Sequence, residues 1–224
     1  MIYFDEDFAK IHGDIMTHEK QMSLEIVLSK LGKKAFINHN EIKKTSDYVG
    51  YLNVVLFIPE DLMLIKGSPR LRRKLIDMEI SKISPVYMYN LNKYNKLLKE
   101  RNKYLKMLHD SHKDADTYLE VLSEQMALLQ VDLLKKRIEF VDLLNEISTK
   151  MYDYIALHQE KLSLKYKSHY QELTYECILD KYQKSYKKDI LLGQTNHGIH
   201  KDDLLMYLDE MDASIYASQG NKDR

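Results

Sequence analysis

Four cations crowd one short stretch of this chain: Arg70, Arg72, Arg73 and Lys74. They follow Gly67-Ser68-Pro69. Ser68 suits an N-cap, and Pro69 suits the first helical position because its φ is already helical and its missing N–H has no role there. Leu71, Leu75, Ile76 and Met78 then recur at helical spacing, so the spacing predicts a helix with one apolar face. The cations fall in its first turns, where they oppose the helix dipole by a few tenths of a kcal/mol. A cluster that local physics disfavours is a candidate for binding an anion, and its basic side chains would then contact phosphates. The competing reading is a solvated basic face.

A second polar stretch, Gly193-Gln194-Thr195-Asn196-His197-Gly198, has the glycine spacing of a phosphate-cradling loop. Ile199 and His200 follow where such a loop needs a lysine for the β/γ-phosphates and a hydroxyl for Mg²⁺, so it is not a P-loop. His197 and His200 beside Asp202 and Asp203 have the residue types of a metal site, but no further ligand stands at a supporting spacing. No metal site is expected. Tyr175, Tyr182 and Tyr186 interleave with Lys184, Lys187 and Lys188. That pattern fits either a stacking platform for nucleic-acid bases or a half-buried surface of snorkelling side chains.

The elements that hold these residues can be read from composition and period. The chain has 224 residues, 44% of them hydrophobic, enough for a real core. Lys+Arg and Asp+Glu both number 34, so any contact with nucleic acid must be local. One cysteine, Cys177, excludes an internal disulfide and suits a reducing compartment. No apolar run reaches membrane-spanning length and the acidic start (Asp5, Glu6, Asp7) is unlike a signal peptide, which gives an expectation of a soluble, cytoplasmic protein with no membrane partner.

Alternating residues over 8–16, 22–29 and 34–38 predict antiparallel strands, followed by a short helix over 43–50 and a buried strand over 53–58. All three prolines, Pro59, Pro69 and Pro85, sit where a helix should begin. Tyr87, Leu91, Tyr94, Leu98, Arg101, Leu105 and Leu108 form one stripe, and Leu119, Leu122, Met126, Leu129 and Leu133 a second, on either side of a polar break at 109–116. Two long helices joined by a short turn predict an antiparallel hairpin. A strand over 161–167, a helix over 170–192, a strand over 204–208 and a short strand near Ile215 complete the reading.

Two long runs carry a family resemblance. Asn53-Val-Val-Leu-Phe-Ile-Pro-Glu-Asp-Leu62 and Lys66-Gly-Ser-Pro-Arg-Leu-Arg-Arg-Lys-Leu-Ile-Asp-Met-Glu79 resemble RecF, a family of bacterial DNA replication and repair proteins with an SMC-like, ABC-type ATPase head. The resemblance runs from Phe4 to about Gly220. Gly193 to Leu204 resembles that family's G-x-T-x-x-G-P-H-R-D-D-(L/I), with Ile199 in place of proline and Lys201 in place of arginine. The lysine keeps the charge of His200-Lys201-Asp202-Asp203, which the resemblance places near the nucleotide, but loses a bidentate fork. Ser218-Gln219-Gly220 falls on the entry to the ABC signature motif, which in such dimers faces the γ-phosphate of ATP held by the other subunit.

The resemblance therefore implies an α+β fold: an ABC/SMC-like ATPase head fragment with an antiparallel sheet lobe over 1–58 and a helical lobe with its hairpin over 59–157. A return to strands over 158–224 would end at a truncated signature motif. It implies a recombination mediator that binds single-stranded and gapped DNA in an ATP-dependent way, with RecR and RecO, and assists loading of RecA. The family uses ATP and Mg, forms an ATP-dependent homodimer and has a weak DNA-dependent ATPase. No Walker A lysine or Walker B carboxylate motif is found in this sequence, and Asn221 onward departs from the family's pattern. An internal fragment is expected, without a cofactor and without catalytic residues of its own. The alternative, from a different class, is a non-enzymatic helical scaffold or decayed gene product.

Overall fold

The computed structural model describes residues 2–16, 20–44, 48, 51–52, 56 and 58–215. Two compact units emerge, Met1–Leu56 and Phe57–Arg224.

The first unit is an antiparallel meander of β1 (Phe8–Met16), β2 (Gln21–Ser29), β3 (Gly32–Ile37) and β4 (Asn40–Ile42), in that spatial order. Chain order equals spatial order because each connection is too short for anything but a hairpin. Register runs from Phe8↔Ser29 to Met16↔Gln21 and from Ser29↔Gly32 to Leu24↔Ile37. The β3–β4 turn puts Asn38 and His39 at φ 49° and 65°, the paired positive values of a type I′ turn. The alternation thus predicted all three long strands, with the third shifted toward its glycine. The helix expected over 43–50 and the strand expected over 53–58 fall mostly outside the described residues.

The second unit begins with a 3₁₀ turn (Pro59–Leu62) and a single helical turn α1 (Met63–Lys66), then α2 (Pro69–Ile83), α3 (Pro85–Asp110) and α4 (Thr117–Ile155). Each proline occupies the start of its element. Ser84 caps α3 by accepting from the Tyr87 amide at 3.2 Å. Ser68 holds the N-cap position of α2, but its hydroxyl accepts no capping bond. Asp116 caps α4 through the Leu119 amide. At 1.5 Å per residue α4 is about 58 Å long.

α3 and α4 pack antiparallel, as the two stripes predicted. Near the turn Tyr104 meets Tyr118 edge-on with centroids 4.7 Å apart. Further down Arg101 meets Ser123, and near the start of α3 Tyr87 meets Arg137. Leu105, Leu108, Leu119, Leu122, Met126 and Leu133 are all buried in this seam.

β5 (Leu162–Lys167), α5 (Tyr175–Leu192), a 3₁₀ turn (Ile199–Lys201), β6 (Asp203–Leu208) and β7 (Met211–Asp212) follow. The three strands form an antiparallel sheet in the order β5-β6-β7, with Lys167↔Asp203 and Leu162↔Leu208 in register. Two boundaries differ from expectation. α5 starts at Tyr175, where Thr174 caps it through the Cys177 amide, so 170–174 are not helical. The last strand lies at Met211–Asp212, because Asp209 and Glu210 close a two-residue hairpin at φ 47° and 69° and strand pairing resumes at once.

Candidate functional site

The segment from Gly193 to Asp203 links α2, α3, α4 and α5 with β5 and β6. Gly193 ends α5 in the left-handed conformation, φ 59°, which glycine adopts without strain. Thr195 then anchors on α3, its amide and hydroxyl both donating to Asn102 Oδ1 at 2.8 and 2.7 Å. Asn196 folds back on α5, its amide and side chain donating to Asp189 Oδ1. Gly198 takes φ 133°, and a Cβ there would run into the Tyr94 hydroxyl, so only glycine fits.

Three arginine–carboxylate clamps converge on this segment. Arg101 of α3 is wholly buried; it donates to Asp189 Oδ2 at 2.9 Å, to Thr195 Oγ1 at 2.7 Å and to Ser123 Oγ at 3.1 Å. The rings of Tyr182 and Tyr186 flank its guanidinium at 5.1 and 5.8 Å. Arg137 of α4 grips both oxygens of Asp77 at 2.9 Å and donates to the Ile199 carbonyl at 2.7 Å. Arg72 of α2 grips Asp203 through Nε at 2.7 Å and its terminal nitrogen at 2.9 Å. Its remaining nitrogen donates to the Leu64 and Gly67 carbonyls at 3.0 and 2.9 Å. The Arg137 and Arg72 pairs are bidentate, whereas Arg101 meets Asp189 through one nitrogen and its buried Nη2 meets no acceptor among the described residues.

His200 is bound on both ring nitrogens, Nδ1 to the Tyr94 hydroxyl and Nε2 to the Thr195 carbonyl, each at 3.1 Å. A carbonyl can only accept, so Nε2 carries the proton and Nδ1 accepts from Tyr94. Burial first, and the cations Lys201, Arg73 and Arg101 after it, push its pKa down to about 4, so the ring is neutral. Asp202 is buried, and burial raises its pKa against the Tyr166 hydrogen bond, 2.8 Å, and Arg137. His169 lies 3.5 Å from its other oxygen.

The structure separates the residues that the sequence grouped. Arg72 is committed to Asp203 and two carbonyls. Arg73 is half-buried and donates to the Asp202 carbonyl at 2.6 Å. Arg70 and Lys74 are exposed on the outer side of α2. His200, Asp202 and Asp203 face inward, while Lys201 is exposed. Ser218, Gln219 and Gly220 lie outside the described residues. Among the described residues no group of three or more His, Cys, Asp or Glu is placed to hold a metal ion, and no helix is long and apolar enough to cross a membrane.

Arg101, Asp189, Asp77 and Arg137 escaped the sequence reading as a linked set. One signal was present: Arg101 stands at a core position of an otherwise apolar and aromatic stripe, where a charge must be paired to be tolerated. On α5, Tyr182 is fully buried and Tyr186 nearly so. These two rings pack on Arg101 and offer no stacking platform.

No family model matches the chain. Over 99% of its length it is 39% identical to a DNA replication and repair protein RecF of Geobacillus sp. (strain WCH70) and 38% identical to that of Bacillus subtilis (strain 168). The chain spans 61% and 62% of the length of these curated relatives. A solved structure of the recombination mediator protein RecF with ATP, of the RecFOR pathway, superposes on 98% of the chain with TM-score 0.86 at 28% identity; the match covers 60% of that protein. A companion structure, RecF-ATPrS, gives TM-score 0.86 at 29% identity.

Proposed function

Because this chain is homologous to RecF over nearly its whole length, with an α+β fold that matches the RecF ATPase, we infer that it serves DNA replication and repair as part of a RecF-type recombination mediator. The observation that carries this reading is the likeness of 98% of the chain to 60% of RecF with ATP. In this reading the protein engages single-stranded and gapped DNA in an ATP- and Mg-dependent way in the cytoplasm. It acts with RecR and RecO to load RecA, and pairs with a second subunit through Ser218, Gln219 and Gly220.

Phosphoryl transfer is mostly positioning and charge stabilisation, and the sequence contains no Walker A lysine loop and no apolar run ending in a Walker B carboxylate to hold the β/γ-phosphates and Mg²⁺. By itself the chain neither binds ATP tightly nor hydrolyses it. Its His200-Lys201-Asp202-Asp203 stretch serves the nucleotide indirectly, by fixing β6 against α2 and β5.

DNA contact falls to Arg70, Arg73 and Lys74, at positions i, i+3 and i+4 of one helix face. Arg72 supports that face from behind. Fluorescence anisotropy of labelled DNA against salt tests the reading: alanine at all three should flatten log K against log [salt] by about 0.9 per lost phosphate contact. An unchanged affinity and slope would mark them as ordinary surface charge. A second reading, a non-enzymatic scaffold, draws on one observation, that the 193–203 polar groups are directed almost wholly at intramolecular partners. It predicts no salt-dependent DNA binding at all.

A further inference from the structure

A groove of about 440 Å³ opens on the outer side of α2, bounded by α3 and the turn at Ile199 and His200. Its charges are one-sided: Arg70, Arg73, Lys74 and Arg137 line it against a single carboxylate, Asp77. That carboxylate is already neutralised, since Arg137 grips both its oxygens and the Tyr87 hydroxyl donates to Oδ1 at 2.5 Å. The carboxylates behind α2 are engaged as well, Asp203 by Arg72 and Asp202 by the Tyr166 hydroxyl.

Three cations are left facing the groove without a carboxylate bonded to them. Arg73 donates to a neutral acceptor, the Asp202 carbonyl. Arg70 and Lys74 are exposed and meet neither hydrogen-bond nor ion-pair partners among the described residues. The back wall adds no compensation: Tyr94 is wholly buried, and His200 is held by two hydrogen bonds in its neutral form. Arg73 has its pKa held down, by burial first and then by the guanidinium of Arg137. A bound anion would relieve that repulsion.

We propose that this groove binds a dianionic phosphoryl group, with Arg73 at its base and Arg70 and Lys74 closing over it. The proposal rests on the reading of α2 as a phosphate-contacting face and adds which phosphate it takes. A phosphodiester carries one charge and has two of its oxygens tied up in ester links, so it offers these cations less charge and fewer free oxygens. A terminal phosphate carries close to two charges and turns its free oxygens to the planar fork of Arg73. Such a group is supplied by a free nucleotide or by the phosphorylated end of a strand.

Inorganic pyrophosphate titrated into the full chain at low salt is the direct probe. Calorimetry should give a Kd of about 1 mM or tighter. The exposed pair R70E/K74E should weaken it at least tenfold while leaving the melting temperature unchanged, and Lys150→Glu, on α4, should leave binding intact. Arg73→Lys, which keeps the charge but loses the fork, should fall between. Two further arms separate the sources. A 5′-phosphorylated oligothymidine binding tighter than its 5′-hydroxyl twin, with the difference lost in R70E/K74E, assigns the groove to strand ends. ADP displacing pyrophosphate, with no 5′-phosphate effect, assigns it to nucleotides. Absence of pyrophosphate binding, or equal binding by R70E/K74E, overturns the proposal. If salt-dependent DNA binding through Arg70, Arg73 and Lys74 persists in that case, the groove fails alone and the function proposed above stands.

Discussion

Arg72 donates to both oxygens of Asp203 and to the carbonyls of Leu64 and Gly67, whereas Arg70, two residues earlier on the same helix, meets no partner among the described residues. The inner side of α2 faces the start of β6; the outer side faces the groove. Position against the helix dipole is therefore a poor guide to function by itself. The local disadvantage of a few tenths of a kcal/mol is small beside a bidentate ion pair that is mostly removed from water. On the inner side that pair accounts for the odd placement. On the outer side no intramolecular contact among the described residues does, which leaves those charges open to a ligand.

This contrast can be broken experimentally from its inner side first. Arg101→Met removes one partner of a pair in which both side chains are fully buried, leaving Asp189 with an uncompensated charge. A loss of about 3–5 kcal/mol is expected by denaturant titration. A double variant that also makes residue 189 apolar should recover part of it, since the two sites are coupled. A loss below about 1 kcal/mol in the single variant would show that the clamp is not structural.

The next effect is a pH dependence. His200 has its folded pKa near 4 against an ordinary 6.5, so the unfolded chain binds more protons between those values. Its stabilising contribution is full above about pH 6.5 and declines as pH falls toward 4, by about 3 kcal/mol in total. Asp202, whose pKa burial raises, works in the opposite sense, its contribution being lost as pH rises through its folded pKa. His200→Asn should flatten the decline between pH 6.5 and 5. An undiminished slope would place the titrating group elsewhere.

Gly198→Ala is expected to cost about 1–3 kcal/mol, because φ 133° is strained for any side chain and the Tyr94 hydroxyl occupies the space a Cβ needs. A melting curve matching the parent would show that the turn relaxes freely. The smallest effect belongs to the outer side: alanine at Arg70 and Lys74 should change stability by less than about 0.5 kcal/mol. A larger loss would mean these side chains support the fold as Arg72 does.

Local signals carried most of the helical architecture. Ser84-Pro85 and the polar break ending at Asp116 mark starts that depend only on neighbouring amides, and the two stripes are a property of the 3.6-residue period; the Thr174 cap is equally local, yet the helix it opens was read from 170. Where local chemistry was ambiguous the reading slipped. The serine before Pro69 has the right residue type, yet its hydroxyl accepts nothing, and the Tyr-Lys pattern on α5 was compatible with either stacking or burial.

By itself, then, the sequence determined the three long strands of the first sheet, the order of the long helices, the ends of α3 and α4, and the likeness to RecF, since all of these are written in short-range spacing or in matched runs. Tertiary structure alone decided which cations are free. Asp203 lies 131 residues from Arg72, and Asp189 lies 88 from Arg101. No pattern along the chain ties such partners together; only the packing of α5 and β6 against α2 and α3 brings each carboxylate within reach of its arginine. It also decides which side chains have their charge matched inside the protein and which present it to the solvent.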